Sequence, residues 1–176
     1  MKKNSTKNNT GCVRVLGIDP GTATTGWAIV TEKDCNFVPV AYGHISTEKT
    51  ETDDARILEI SNDLKEIIAK HSPTEAAIEE LFFFKNKKTV IQVAQARGAI
   101  LLTLKQNNVK VCGYTPLQVK QALTGYGRAD KNQMQEMTKN IMKLARLPKP
   151  DDTADALAIA ICHLNSRKIN NLKCFN

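Results

Sequence analysis

The sequence predicts an α/β protein built on a mixed β-sheet, with three antiparallel strands first, parallel strands after them, and helices on the flanks. Three observations predict it. The run Val13-Arg14-Val15-Leu16-Gly17-Ile18-Asp19 carries apolar residues on both parities, the pattern of a strand covered on both faces. A Pro20-Gly21 turn then separates it from a second strand-like run, Thr25 to Val30, so the two read as a hairpin. Beyond residue 50, segments of helical period alternate with short β-branched runs, as crossover connections do.

The remaining elements follow in order. Phe37 to Ser46 has strand composition, and Pro39 within it demands an edge or a bulge. Thr52-Asp53-Asp54 opens a helix with acids in its first turn. Ile57, Ile60, Leu64, Ile67 and Ile68 line one face of it to about Lys70, and His71-Ser72-Pro73 ends it. Ala76 to Glu80 is a short strand closing on two acids. Leu81-Phe82-Phe83-Phe84 and Lys85-Asn86-Lys87-Lys88 follow, rings beside cations, a combination suited to stacking on bases and holding phosphates.

Thr89 to Gln106 has helical spacing through Val90, Val93, Ala94, Arg97, Leu101 and Leu104. Gly98 in its interior costs roughly 1 kcal/mol relative to alanine, so a close approach is expected there, by the sheet or by a second subunit. Val109 to Tyr114 is a strand. Thr115-Pro116 starts a short helix that ends near Gly125-Tyr126-Gly127, a basic loop with Arg128 and Lys131. Ala129 or Asp130 caps a helix to about Arg146, and Asp151 or Asp152 opens a last helix, apolar nearly all round through Cys162.

Composition narrows the function. At 176 residues the chain suits one domain, here placed at residues 11–165, with basic tails at 1–10 and 166–176. No apolar run approaches the roughly 20 residues of a membrane span, and Met1–Thr10 lacks the apolar core of a secretory signal. Five cysteines without paired spacing suit reduced thiols in a cytoplasmic protein, and three scattered histidines form no local zinc motif. Charge is segregated: Gly11–Glu80 is net −7 and Leu81–Lys149 net +11, within an overall +7. A basic middle beside an acidic segment points to a polyanion-binding surface next to a carboxylate site.

The acids at element ends are Asp19, Glu79 or Glu80, and Asp152 with Asp155, which share a helix face at i, i+3. Each alone suits a turn, a strand end or a helix cap. If the first strand and the Ala76 strand are neighbours, Asp19 and Glu79 meet, and the last helix can add its acidic first turn. Several carboxylates in one cleft repel unless cations neutralise them. Oxygen-only donors select Mg²⁺ or Mn²⁺, and a pair of such ions promotes phosphodiester hydrolysis.

Taken together, six blocks resemble the RuvC family of bacterial Holliday-junction resolving endonucleases. They are Leu16-Gly-Ile-Asp-Pro-Gly-Thr22, Ala77-Ile-Glu-Glu80 with Lys85-Asn86, Gln95-Ala-Arg-Gly98, Tyr114-Thr-Pro-Leu-Gln-Val-Lys120, Gly125-Tyr-Gly-Arg-Ala-Asp-Lys131 and Asp152-Thr-Ala-Asp-Ala-Leu-Ala-Ile-Ala160. The resemblance runs from about Val13 to His163 and implies an RNase H-like fold. It implies catalytic and metal-binding roles for Asp19, Glu79, Asp152 and Asp155, with two Mg²⁺ ions or Mn²⁺ in their place. It prefers Glu79 to Glu80 and Asp152 to Asp151.

Further implications concern DNA and partners. Phe82 matches an aromatic that stacks near the junction centre, and Lys120 and Lys131 match lysines near the scissile phosphate. With Lys85, Lys87, Lys88 and Arg128 they form the expected DNA-binding set. The Gln95–Gly98 helix matches a dimer contact, and RuvA–RuvB branch-migration machinery is the implied partner. Two other readings are an inactive junction-binding homologue, against which the intact acid set argues, and an actin-like ATPase. The latter needs a second glycine-rich phosphate loop and a longer chain.

Overall fold

A computed structural model describes residues 13–81 and 90–173, with side chains through residue 167. The chain opens with β1 (Arg14–Asp19), β2 (Thr24–Lys33) and β3 (Asn36–Ser46), followed by α1 (Asp53–His71) and β4 (Glu75–Glu79). Then come α2 (Val90–Gln106), β5 (Lys110–Tyr114), α3 (Pro116–Thr124), α4 (Lys131–Ile141) and α5 (Asp151–Lys173). The sheet order is β3-β2-β1-β4-β5. β1, β2 and β3 pair antiparallel, while β4 runs parallel to both β1 and β5. β3 is an edge strand, and the register also slips opposite Ile29 and Val30, so Pro39 sits both at an edge and beside a bulge.

Strand parity divides the core in two. Leu16 and Ile18 of β1, Ile29 of β2, and Ala76 and Ile78 of β4 pack under α1 and α2, with Ile60, Leu64, Ile100 and Leu104. Val15, Ala28, Val30, Ala77 and Tyr114 face the other way, onto α5 and its neighbours α3 and α4. Both faces of β1 are thus covered, and Val15, Leu16 and Ile18 have no exposed surface. Two strand glycines set how closely α5 lies. A Cβ on Gly17 would collide with the carbonyl oxygen of Ala156, and one on Gly26 with that of Asp152.

Several expectations need correction. α4 stops at Ile141 instead of near Arg146. Lys143 adopts φ 52°, its amide bonds back to the Asn140 carbonyl, and the Leu144 amide reaches the Lys139 carbonyl. This is a Schellman ending with lysine where glycine is usual, so no glycine marks it in the sequence. It turns Leu144 against the α5 side of the core. In α2 the buried residues are Ala96, Ile100, Thr103 and Leu104, and Ala94 is exposed. Gly98 has open space around its Cβ position, so the sheet does not approach it. The basic segment expected as a tail from residue 166 is helical through Lys173, because α5 continues without a break. Residues 1–10 lie outside the described residues.

Candidate active site

Asp19 ends β1 and Glu79 ends β4, and both lie on the parity that faces α5. The parallel register pairs Ile18 with Ile78, which sets the two acids side by side at the strand ends. Glu80 goes elsewhere: its side chain lies against Gly113, while its amide donates to the Tyr114 carbonyl. The Arg97 Nε of α2 donates to the Glu79 carbonyl at 3.2 Å and pins this strand end from behind. α5 supplies Asp152 and Asp155 from its first turns. Gly26, the register partner of Asp19, allows the Asp152 backbone to come down on β2.

The charges feel one another. Burial first, and then Glu79, Asp155 and Asp152, hold the Asp19 carboxyl well above the ordinary carboxylate range, against an opposing pull from Lys131. Burial and Asp155 push Glu79 up to about 7. Asp155 is raised by burial, with Lys131 opposing and Asp152 and Asp151 adding to the rise. Such a cluster holds protons it would otherwise lose, because burial and mutual repulsion outweigh the pull of Lys131.

Among the described residues, no three His, Cys, Asp or Glu side chains close into a ready-made ligand cage. A hard divalent cation does not require one. Mg²⁺ takes one or two carboxylates and completes its octahedron with water and substrate phosphate oxygens. An all-carboxylate donor set under mutual repulsion fits such an ion.

A cleft beside the acids is lined by Glu79, Lys120, Lys131, Asp155, Val119 and Met134. Two reciprocal caps place its lysines. Thr115 and Gln118 exchange side-chain-to-backbone hydrogen bonds at the start of α3, as Asp130 and Gln133 do at the start of α4. Lys120 therefore lies one turn into α3, and Lys131 is the first residue of α4. Arg128 is exposed in the intervening loop and does not line the cleft. Phe82, Lys85, Lys87 and Lys88 lie outside the described residues.

The sequence reading missed Asp151 as a partner. Its carboxylate holds Lys131 at 2.9 Å, which raises the lysine and lowers the acid from their ordinary values. Both side chains are about half exposed, at 57% and 44%, so the pair adds little stability. Asp151→Asn is therefore expected to shift the unfolding free energy by less than about 1 kcal/mol. With Lys131 released, polyanion binding should tighten at low salt, which a fluorescence-anisotropy titration would register. A loss of binding would show that the pair positions Lys131 instead of occupying it.

A mixed five-stranded sheet with acids gathered where β1 and β4 end defines the RNase H-like class. The family model for the crossover junction endodeoxyribonuclease RuvC matches residues 15–163. A RuvC from Caldicellulosiruptor saccharolyticus is 52% identical over 155 residues, 88% of this chain and 93% of that protein. One from Fusobacterium nucleatum is 50% identical, covering 88% and 81%. A structure of Thermus thermophilus RuvC in complex with Holliday junction substrate superimposes with a TM-score of 0.85 at 33% identity, over 90% of this chain and 96% of that one. The chain belongs to the RuvC family of crossover junction endodeoxyribonucleases.

Proposed function

We propose that this protein resolves four-way DNA junctions by divalent-metal-dependent hydrolysis of phosphodiester bonds, in recombination and repair. The observation that carries the reading is the meeting of Asp19, Glu79 and the acidic first turns of α5 on one face of the sheet. Family membership and the junction complex of the Thermus thermophilus relative support the substrate. Asp19, Glu79, Asp152 and Asp155 would hold two Mg²⁺ ions, with Mn²⁺ as a substitute. When bound, such ions activate a water and stabilise the leaving oxygen.

The chain's own residues supply the rest. Lys120 and Lys131 face the same cleft as Glu79 and Asp155 and offset phosphate charge there. Lys131 exchanges Asp151 for a phosphate oxygen when DNA arrives. Phe82 stacks near the junction centre, and Lys85, Lys87, Lys88 and Arg128 contact the arms. The test is cleavage of a labelled junction with and without divalent metal. Paired symmetric nicks that require Mg²⁺ are expected, and nicking in excess chelator overturns the reading.

A two-fold dimer suits a two-fold junction, with one cut from each subunit. Ile91, Gly98 and Leu102 fall on one exposed stripe of α2, with Ile91 68% and Leu102 60% exposed. This stripe is the proposed contact, and it accounts for an open Gly98. Leu102→Glu is expected to halve the solution mass measured by light scattering and to abolish paired nicking. An unchanged mass would place the contact elsewhere. The implied setting is the cytoplasm, alongside RuvA–RuvB branch-migration machinery.

A further inference from the structure

A second cleft, of about 440 Å³, opens on the other side of the acids. It is lined by the turn Gly21-Thr22-Ala23-Thr24, by Lys49, Arg56, Gln92 and Val93, and by Asp152. It shares no lining residue with the Lys120–Lys131 cleft. Glu79 and Asp155 border the first cleft and Asp152 the second. β1, carrying Asp19, lies between β4 on one side and β2 on the other.

One feature of this cleft is costly unless something binds, and a second leaves hydrogen-bond donors to spare. The hydroxyl of Thr22 is buried with no hydrogen-bond partner, the one such side-chain atom among the described residues. Arg56 is only 7% exposed, yet among the described residues its side chain makes a single hydrogen bond, from Nε to Thr47 Oγ1 at 2.8 Å. Thr47 in turn donates to the Thr22 carbonyl at 2.7 Å, so the turn and the guanidinium form one assembly. An arginine has five N–H donors, and a planar fork of this kind matches phosphate oxygens. Asp152 is the acid in the lining. Asp53 nearby accepts a hydrogen bond from Gln92.

We propose that this cleft is a phosphodiester subsite. Thr22, Lys49 and Arg56 would hold a phosphate of the cleaved strand on the side of the acids opposite Lys120 and Lys131. The strand then crosses the acids between two cationic walls, and its scissile phosphate is fixed from both ends. The proposal rests on the reading of the acids as a nuclease centre and adds a residue set to it. Lys49 and Arg56 act as positioning residues.

The test uses the full chain and a fluorescent four-way junction, with binding measured in chelator and single-turnover cleavage in Mg²⁺. Lys49→Ala should weaken binding and reduce the slope of log affinity against log salt by about 0.9, one phosphate contact. Thr22→Val should leave the melting temperature unchanged or higher, since it removes an unpartnered buried hydroxyl. It should slow cleavage by roughly tenfold, as the loss of one charge-assisted contact does. Arg56→Gln removes a buried guanidinium that is bonded to Thr47, so its melt is recorded alongside its cleavage rate.

Neutral methylphosphonates placed singly along the cleaved strand then locate the contact. One position near the cut should weaken wild type and leave Lys49→Ala and Thr22→Val no worse than before. If wild type binds and cleaves junctions while both variants match it in slope, rate and interference, the subsite is overturned. If wild type neither binds nor cleaves junctions, the underlying reading of the acids fails instead.

Discussion

Asp19→Asn is expected to reduce junction cleavage by at least about 10³-fold while leaving junction binding in place. The acid occupies the meeting point of the cluster, raised by burial and by three other carboxylates. An amide keeps its shape and removes its charge, so the donor set for a cation is broken and the DNA surface is not. The metal-free protein should also become more stable, because one source of repulsion is gone. Its melting temperature in chelator should rise above that of wild type, and Mg²⁺ should raise it less. Lost binding, or a lower melting temperature, would mean that Asp19 supports the fold and not the chemistry.

Glu79 gives the same balance a pH dependence. Its carboxyl titrates at about 7 in the folded protein, against an ordinary value near 4.5. Between those values the unfolded chain has lost the proton and the folded chain keeps it. Unfolding therefore releases a proton, and rising pH destabilises the metal-free protein through this window. The neutral variant Glu79→Gln escapes the effect. Its advantage over wild type in chelator should be small at pH 4 and grow up to about pH 7. At the plateau it should be on the order of 2 kcal/mol after allowance for solvent screening. Taking the difference between the two proteins cancels the opposing titration of buried His163, whose imidazole is lowered by burial. An advantage independent of pH would contradict the proposed environment of Glu79.

The second large effect is expected from a residue with no side chain. Gly26→Ala places a methyl group where the Asp152 carbonyl now lies, and Gly26 is the register partner of Asp19. The start of α5 must lift from β2, carrying Asp152 away from Asp19. Overpacking of this kind costs about 1–3 kcal/mol. Denaturant melts should show that loss, and the stabilisation by Mg²⁺ should fall with it. If stability drops while Mg²⁺ stabilisation and cleavage persist, the position of Asp152 is not set by Gly26. Ala28, two residues on and on the same face, already carries a methyl group, so contact with α5 is not what singles out Gly26. The backbone approach is.

The sequence made β1 plain because its apolar residues occupy both parities, and a strand buried on two faces leaves that pattern. Thr115-Pro116 and Asp130 were readable because caps are local chemistry, settled by residues three apart. The end of α4 was not, since Lys143 takes a left-handed conformation that glycine would have announced. The face of α2 was not readable either, because apolar side chains nearly encircle it. Its buried Thr103 is chosen by hydrogen bonds to Ser61 and to the Ala99 carbonyl.

The acids divide in the same way. Sequence alone determined which carboxylates end apolar elements, and resemblance to a family ranked Glu79 above Glu80. Only the folded sheet made them neighbours, through a parallel β1–β4 register and strand parity that points Asp19 and Glu79 toward α5. The pairing of Lys131 with Asp151 and the cleft around Thr22 and Arg56 join residues 20 to 34 positions apart. Local pattern records what a residue does to its own backbone. Contacts between distant segments depend on the whole chain's packing, and only the tertiary structure decided them.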